Sequence, residues 1–228
     1  MIMDITETEH VTITNKGVLM KYEWRKSEKE LYLPKNKPTQ ITIPSFNYFM
    51  IEGEGNPNNE NFGEYIGVLY ALSYAIRMSH KGGTPPKDFY EYTVYPLEGV
   101  WDITDEAKKY YNDTGIINKD TLVYNLMIRQ PDFVTAEYAA EVIERTKKKK
   151  PHVLLDKVEF GEITEGKCVQ MLHLGPYDNE AVSFKKMEEY CSENKITRLS
   201  KKHREIYLSD VRKVSPEKLK TILRFKVK

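Results

Sequence analysis

Apolar and polar residues alternate from Thr42 to Glu52, and Gly53, Gly55, Asn56 and Pro57 follow, which predicts a strand closed by a turn. The period then changes. In NFGEYIGVLYALSYAIRMSHKGG, Phe62, Ile66, Leu69, Leu72 and Ile76 recur at steps of three and four, which predicts an amphipathic helix ending near Gly82. DFYEYTVYPLEGVWDI reads as a strand, with Tyr90, Tyr92 and Val94 on one face and Glu91, Thr93 and Tyr95 on the other. TLVYNLMIRQP is a second strand, stopped by Pro131. TAEYAAEVIERTKKKKP predicts a helix with Thr135 as N-cap, a lysine-rich last turn suited to the macrodipole, and Pro151 as stop.

The second half repeats the order. VEFGEITEGKCVQMLHLG reads as a hairpin whose second strand places Val169, Met171 and His173 on one face and Cys168, Gln170 and Leu172 on the other. DNEAVSFKKMEEYCSEN is a helix with Asp178 as N-cap and Ala181, Phe184, Met187 and Cys191 on its apolar stripe. HREIYLSD is a third element. SPEKLKTILRFKVK gives a short helical turn, with Ser215 capping and Pro216 first, and a last strand. Residues 1–38 read as an extension with a short strand at 11–14 and a helical turn or two in YEWRKSEKELYLP; Met20 is an alternative start. The domain proper is 39–228: unit one over about 40–130, a linker helix over about 135–150, unit two over about 155–228. The fold class is α+β, with duplicated strand–helix–strand–strand units in pseudo-two-fold symmetry. An antiparallel sheet carries helices on one side, and a central ligand cleft lies between the halves.

Composition narrows the function. Lys+Arg is 35 against Asp+Glu 34, a formal net charge of +1, which supports neither a nucleic-acid footprint nor a membrane patch. The Lys147–Lys150 run reads as a solvated helix end. Two cysteines make neither a disulfide framework nor a metal cluster, and no apolar run approaches a membrane span, so the expectation is a cytoplasmic chain with reduced thiols. His80, His152 and His203 show no metal-ligand spacing, and no P-loop, dinucleotide fingerprint or Ser-His-Asp order is present. No metal and no cofactor is expected. Sixteen Tyr supply flat surfaces with polar tips, for a core or for a pocket.

HLGPYD at 173–178, YPLEGVW at 95–101, MIRQPDFVT at 127–135 and HREIYLSDVRKVSPEKLKTILR at 203–224, with IEGEGNPN and YALSYAIRMS ahead of them, resemble the GyrI-like small-molecule-binding family over about residues 28–228. The resemblance implies an aromatic cleft with a buried or half-buried glutamate. It links the chain to the effector-binding halves of MerR- and AraC-type multidrug regulators, to gyrase-inhibitor and toxin-sequestering proteins, and to hydrolases of cyclopropanoid DNA-alkylating toxins. Arg204 stands where a second histidine is usual, Val211 where proline is usual, and Asp102 where a bulky aromatic is common.

Glu205 sits mid-strand among apolar and aromatic residues, either facing a cleft as a partly desolvated carboxylate or facing solvent from an edge strand. Tyr207 shares its face. Glu98 and Trp101 end a strand, capping the cleft or filling a turn and the core. Tyr177 and His173 bracket the Gly175–Pro176 turn, lining the cleft or packing beneath it. Met127 and Arg129 share a face; Met suits flat ligands, and Arg129 either pairs with a pocket glutamate or forms a structural ion pair. The expected ligand-binding set is Tyr177, Trp101, Glu205, Tyr207, His173, Met127, Arg129 and Tyr95, and the catalytic candidates are Glu205, Glu98 and Tyr207.

Two functions compete: a binder of flat, hydrophobic, often cationic compounds, and a metal-independent hydrolase of strained electrophiles using glutamate as acid or base. A small molecule is the expected partner. About 38 residues of extension cannot hold a helix-turn-helix core, so direct DNA contact is not expected, while a regulator in trans and a homodimer both remain open. Near-neutral charge gives no sign of DNA mimicry.

Overall fold

The computed structural model describes residues 21–110 and 118–228; the 11–14 strand and Met20 lie outside them. Six strands are ordered: β1 (Thr39–Glu54), β2 (Leu97–Ile103), β3 (Leu122–Arg129), β4 (Glu159–Leu174), β5 (His203–Tyr207) and β6 (Lys220–Lys226). They pair antiparallel throughout, in the order β1-β3-β2-β5-β6-β4. The expected antiparallel sheet does not stay open: β1 also pairs with β4, Ile43 opposite Gly166, and the sheet closes as a barrel. Closure removes both sheet edges.

Helices pack on the outside, apart from α4 (Asp105–Tyr110), which buries no residue. α3 (Phe62–Arg77) lays Leu69, Leu72 and Ile76 against outward residues of β1 and β3, Phe49, Ile51, Leu126 and Ile128. α5 (Ala136–Lys149) is capped by Thr135, whose hydroxyl accepts from the Tyr138 N–H; its Lys147 pairs with Glu144 and Asp156 at 2.9 and 2.8 Å. α6 (Glu180–Glu193) lays Met187 and Cys191 on Val169, Met171, Leu223 and Phe225 of β4 and β6. The outer face of β2 and β5 lies between α3 and α6 with no helix packed flat on it among the described residues.

Several expectations need correction. The predicted hairpin over 158–175 is the single strand β4. Gly166 lies within it at φ +72°, a left-handed conformation that suits glycine, and there the strand changes its inward parity. Phe160 packs outward on Phe49 and Glu165 turns inward, whereas beyond Gly166 Val169 packs outward and Gln170 turns inward. The tract that reads as a turn is a kink in a continuous strand. Residues 89–95 are not a sheet strand. They are held by the N-terminal segment: the Tyr22 N–H donates to Glu91 O, the Thr93 N–H to Tyr22 O, and the Trp24 Nε1–H to Val94 O. Asp178 does not cap α6, which follows a short turn at Tyr177–Asn179; it pairs with Lys119 at 2.9 Å. Ser215 makes no cap bond, its hydroxyl being taken by Glu217. Ala181 is exposed, and Glu180 holds a buried place on the α6 stripe.

The short helices α1 (Trp24–Ser27) and α2 (Lys29–Tyr32) bury Trp24 and Tyr32 in the main core. Glu28 accepts from Tyr22 and Tyr95 hydroxyls at 2.6 and 2.9 Å and pairs with Arg129. Arg224 and Gln170 donate to the carbonyls of Leu31 and Glu30. The segment is thus bound to the interior-facing residues at one end of the barrel. Cys168 and Cys191 are buried free thiols, and among the described residues no helix is long and apolar enough to cross a membrane.

Candidate functional site

Alternation along β2 and β5 decides where each candidate points. Register places Glu98 opposite Ile206, Gly99 opposite Glu205, Val100 opposite Arg204 and Trp101 opposite His203. One set faces the barrel interior and the other faces out, between α3 and α6. Glu98 and Glu205 therefore lie on opposite faces of one sheet.

The inner face carries an ion network. Glu98, 1% exposed, receives the Arg204 Nη1–H at 2.5 Å. Arg204 and Arg224 hold Glu165 at 3.0 and 2.8 Å. Burial pushes the Glu98 carboxyl up, with Arg204 opposing. For Glu165 burial acts the same way, but its two guanidinium partners outweigh it and the carboxyl lies below its ordinary value. Met127 is buried here, its sulfur 3.1 Å from Arg204 Nη1. Arg129 is engaged by Glu28 and lies over the rings of Phe46 and Tyr95. Glu98, Met127 and Arg129 are thus turned away from the outer face, because each has inward parity. His173 is also buried away from it: its ring lies 2.9 Å from Ser183 Oγ and 3.1 Å from Pro176 O. The carbonyl can only accept, so Nε2 carries the hydrogen and Nδ1 accepts from the serine. His173 ties the Gly-Pro turn to α6.

The outer face of β2 and β5 floors an open cavity of about 1970 Å³, larger than the several hundred Å³ of an ordinary ligand site. Trp101, Glu205, Tyr207 and His203 form its floor; Phe62, Ile66 and Tyr70 of α3 form one wall, Glu180 and Phe184 of α6 the other. Tyr95 lines one end, and Tyr177, 37% exposed, stands edge-on to Tyr207 with ring centres 5.8 Å apart. Asp102 and Val211 lie on the lining, whereas Arg204 points inward. A histidine at 204 would therefore not join the cavity.

The floor is built by packing. Trp101 lies over Gly99, where an added Cβ would come within 2.7 Å of the indole Nε1. Trp101 also meets Tyr124 and Phe62 with ring centres 5.1 and 6.1 Å apart. Its Nε1–H donates to the Tyr207 hydroxyl at 2.8 Å. Burial, then the charge and hydrogen bond of Glu205, raise the Tyr207 hydroxyl well above its ordinary value, so it is a neutral donor. His203 Nε2 lies 3.2 Å from Glu205 Oε1, and Phe184 stands edge-on to the imidazole at 4.7 Å.

Glu180 completes the site, and the sequence reading missed it. It lies in the first turn of α6, and its carboxyl oxygen, a Glu205 oxygen and a His203 nitrogen all lie within 4.8 Å of one another. Burial, then the neighbouring Glu205 charge, push its carboxyl up to about 10, so it stays protonated at neutral pH. The signal was present: Glu180 stands four residues before Phe184 and seven before Met187, on the apolar stripe.

This fold, with an aromatic cavity on the outer face of the barrel, is that of a small-molecule-binding domain. The chain belongs to the GyrI-like small molecule binding domain family, whose model matches residues 36–228. Among solved structures it is similar to a hydrolase from Listeria innocua, with 36% identity, 91% of this chain and 100% of that chain covered, and a TM-score of 0.80. An uncharacterized conserved protein from Listeria innocua shares 37% identity over 91% of this chain and 100% of its own, with a TM-score of 0.83. No curated protein matches.

Proposed function

We propose that the cavity binds flat, apolar small molecules and hydrolyses a strained electrophile held against its floor, as in the detoxification of a cyclopropanoid alkylator. The observation that carries this reading is the Glu180–Glu205 pair: one carboxyl held protonated beside another that faces His203 and Tyr207. Such a pair divides acid and base roles between two like residues. The similarity to a Listeria hydrolase supports the reading.

The step needs a water and an electrophilic ring carbon. Glu205, aided by His203, takes a proton as the water oxygen bonds to that carbon. The strained C–C bond opens, and its electron pair passes to the conjugated carbonyl oxygen. Glu180 or Tyr207 supplies a proton to that oxygen. Trp101, Tyr177 and Phe62 hold the flat body of the compound by stacking.

A second reading is sequestration without turnover. It draws support from the same floor: aromatic rings around a carboxylate suit a planar cation. Cyclopropane-bearing alkylators and planar cationic dyes, followed by fluorescence quenching and by mass spectrometry, separate the two. A product carrying added water, lost in Glu205→Gln while quenching persists, is the expected result. Quenching without product in the native chain leaves sequestration; neither signal overturns both.

A further inference from the structure

The geometry points to a divalent transition-metal site formed by Glu180, Glu205 and His203. Each offers one ligand atom, and the three atoms lie within 4.8 Å of one another. His203 and Glu205 are alternate residues of β5 and share its outer face; Glu180 faces them from the first turn of α6. One strand and one helix thus converge on one point in the cavity.

A cluster of carboxylates alone is a poor indicator of a metal, but Glu180 adds an independent observation. It is 8% exposed, its Oε1 is buried without a hydrogen-bond partner, and its hydrogen bond within the cluster runs to the Glu205 carboxyl. Buried carboxylate oxygens are normally satisfied, and one that is not calls for a missing partner. Among the described residues neither Glu180 nor Glu205 has a Lys or Arg within ion-pair distance, and His203 is the single basic contact of Glu205. The nearby Arg198 and Lys201 are taken by Glu188 at 2.9 and 3.3 Å.

The surroundings resemble those that orient metal ligands. The second ring nitrogen of His203, Nδ1, lies 3.4 Å from the Lys201 carbonyl, and Phe184 fixes the ring plane edge-on. Histidine ligands are commonly oriented by such a carbonyl on the remote nitrogen. Tyr207 is hydrogen-bonded to Glu205 and holds it in turn. Two carboxylate oxygens and one imidazole suit a borderline divalent ion such as Zn2+, Mn2+ or Co2+, and are too few oxygens for Ca2+. Three protein ligands facing an open cavity leave coordination positions for water or for a bound compound.

The site does not rest on the hydrolysis reading. A bound ion would occupy the carboxylate oxygens that hydrolysis uses, so the two can fail separately. Titrating the full chain with Co2+ in the absence of any organic ligand reads the metal alone. The expected result is a saturable visible ligand-field band at one equivalent, displaced by Zn2+. Its affinity should fall roughly tenfold or more in Glu180→Gln, Glu205→Gln and His203→Ala, and stay unchanged in the remote His80→Ala. The His203 side chain is 21% exposed, so His203→Ala keeps the test open if a glutamate variant fails to fold. Absence of a saturable band, or an unchanged affinity in His203→Ala, overturns the proposal. Absence of turnover in the metal-free chain overturns the hydrolysis reading instead.

Discussion

Glu98 and Glu205 sit opposite neighbouring positions of one strand pair and live in different electrostatic worlds. Glu98 faces inward and is matched by Arg204, which Glu165 and Arg224 in turn complete. Glu205 faces outward and meets another carboxyl, Glu180, and one imidazole. The inner carboxylate is satisfied and closed to solvent; the outer shares its place with a second carboxyl, held protonated, and is open to a cavity. Burial alone does not mark a functional carboxylate, since both residues are at least nine-tenths buried. The lack of a guanidinium partner is the better sign.

The contrast can be tested from both sides. Removing Glu98 leaves two guanidiniums, Arg204 and Arg224, on the single carboxylate of Glu165, so Glu98→Ala should cost about 3–5 kcal/mol, read as a lower denaturation midpoint at unchanged slope. Retention of native stability would show that the inner network is not matched as described. Under the proposed hydrolysis, Glu205→Gln should do the reverse, lowering turnover about a hundredfold or more with little loss of stability. A variant that unfolds, or keeps full turnover, would erase the distinction between the two faces.

Gly99→Ala pushes on the Trp101 indole and should cost about 1–3 kcal/mol, with a shift in tryptophan emission as the bond to Tyr207 breaks. An unshifted spectrum would mean that the ring does not lie over Gly99. Glu180→Gln has a sign opposite to Glu98→Ala and acts only above pH about 4.5. Because the folded Glu180 carboxyl lies above its ordinary value, the native state holds a proton that the unfolded chain releases. Its contribution is full below pH about 4.5 and is lost as pH rises toward about 10. The glutamine removes that loss, so Tm should rise at pH 8 and stay unchanged below pH about 4.5. An unchanged pH profile would mean that Glu180 is not raised.

Strands and helices with regular periods were legible in the sequence, and so was the shared face of Glu205 and Tyr207. Four features were not, each for a physical reason. Gly166 looks like a turn residue, and only its neighbours across the ladder reveal a kink. Residues 89–95 alternate well, but Tyr22 and Trp24 capture their backbone before a strand can. The partner of Arg129 is Glu28, about a hundred residues away, and no local pattern announces it. The inward direction of Glu98, Met127 and Arg129 depends on closure, because period two gives two faces without saying which one becomes the inside. Glu180 was legible in principle, as an acid on an apolar stripe.

Closure also bears on how the chain reaches its native state. β1 finds β3 within the first half, but its other partner, β4, lies far along the chain, with Ile43 meeting Gly166. Until β4 arrives, one side of a 16-residue strand is an unpaired edge carrying Phe46, Tyr48, Phe49 and Ile51. Such pairing is slow because a long loop must close before any contact rewards it. Meanwhile the edge invites pairing with other chains. The first half, expressed alone as residues 39–130, should therefore self-associate, and supplying the second half in trans should suppress it.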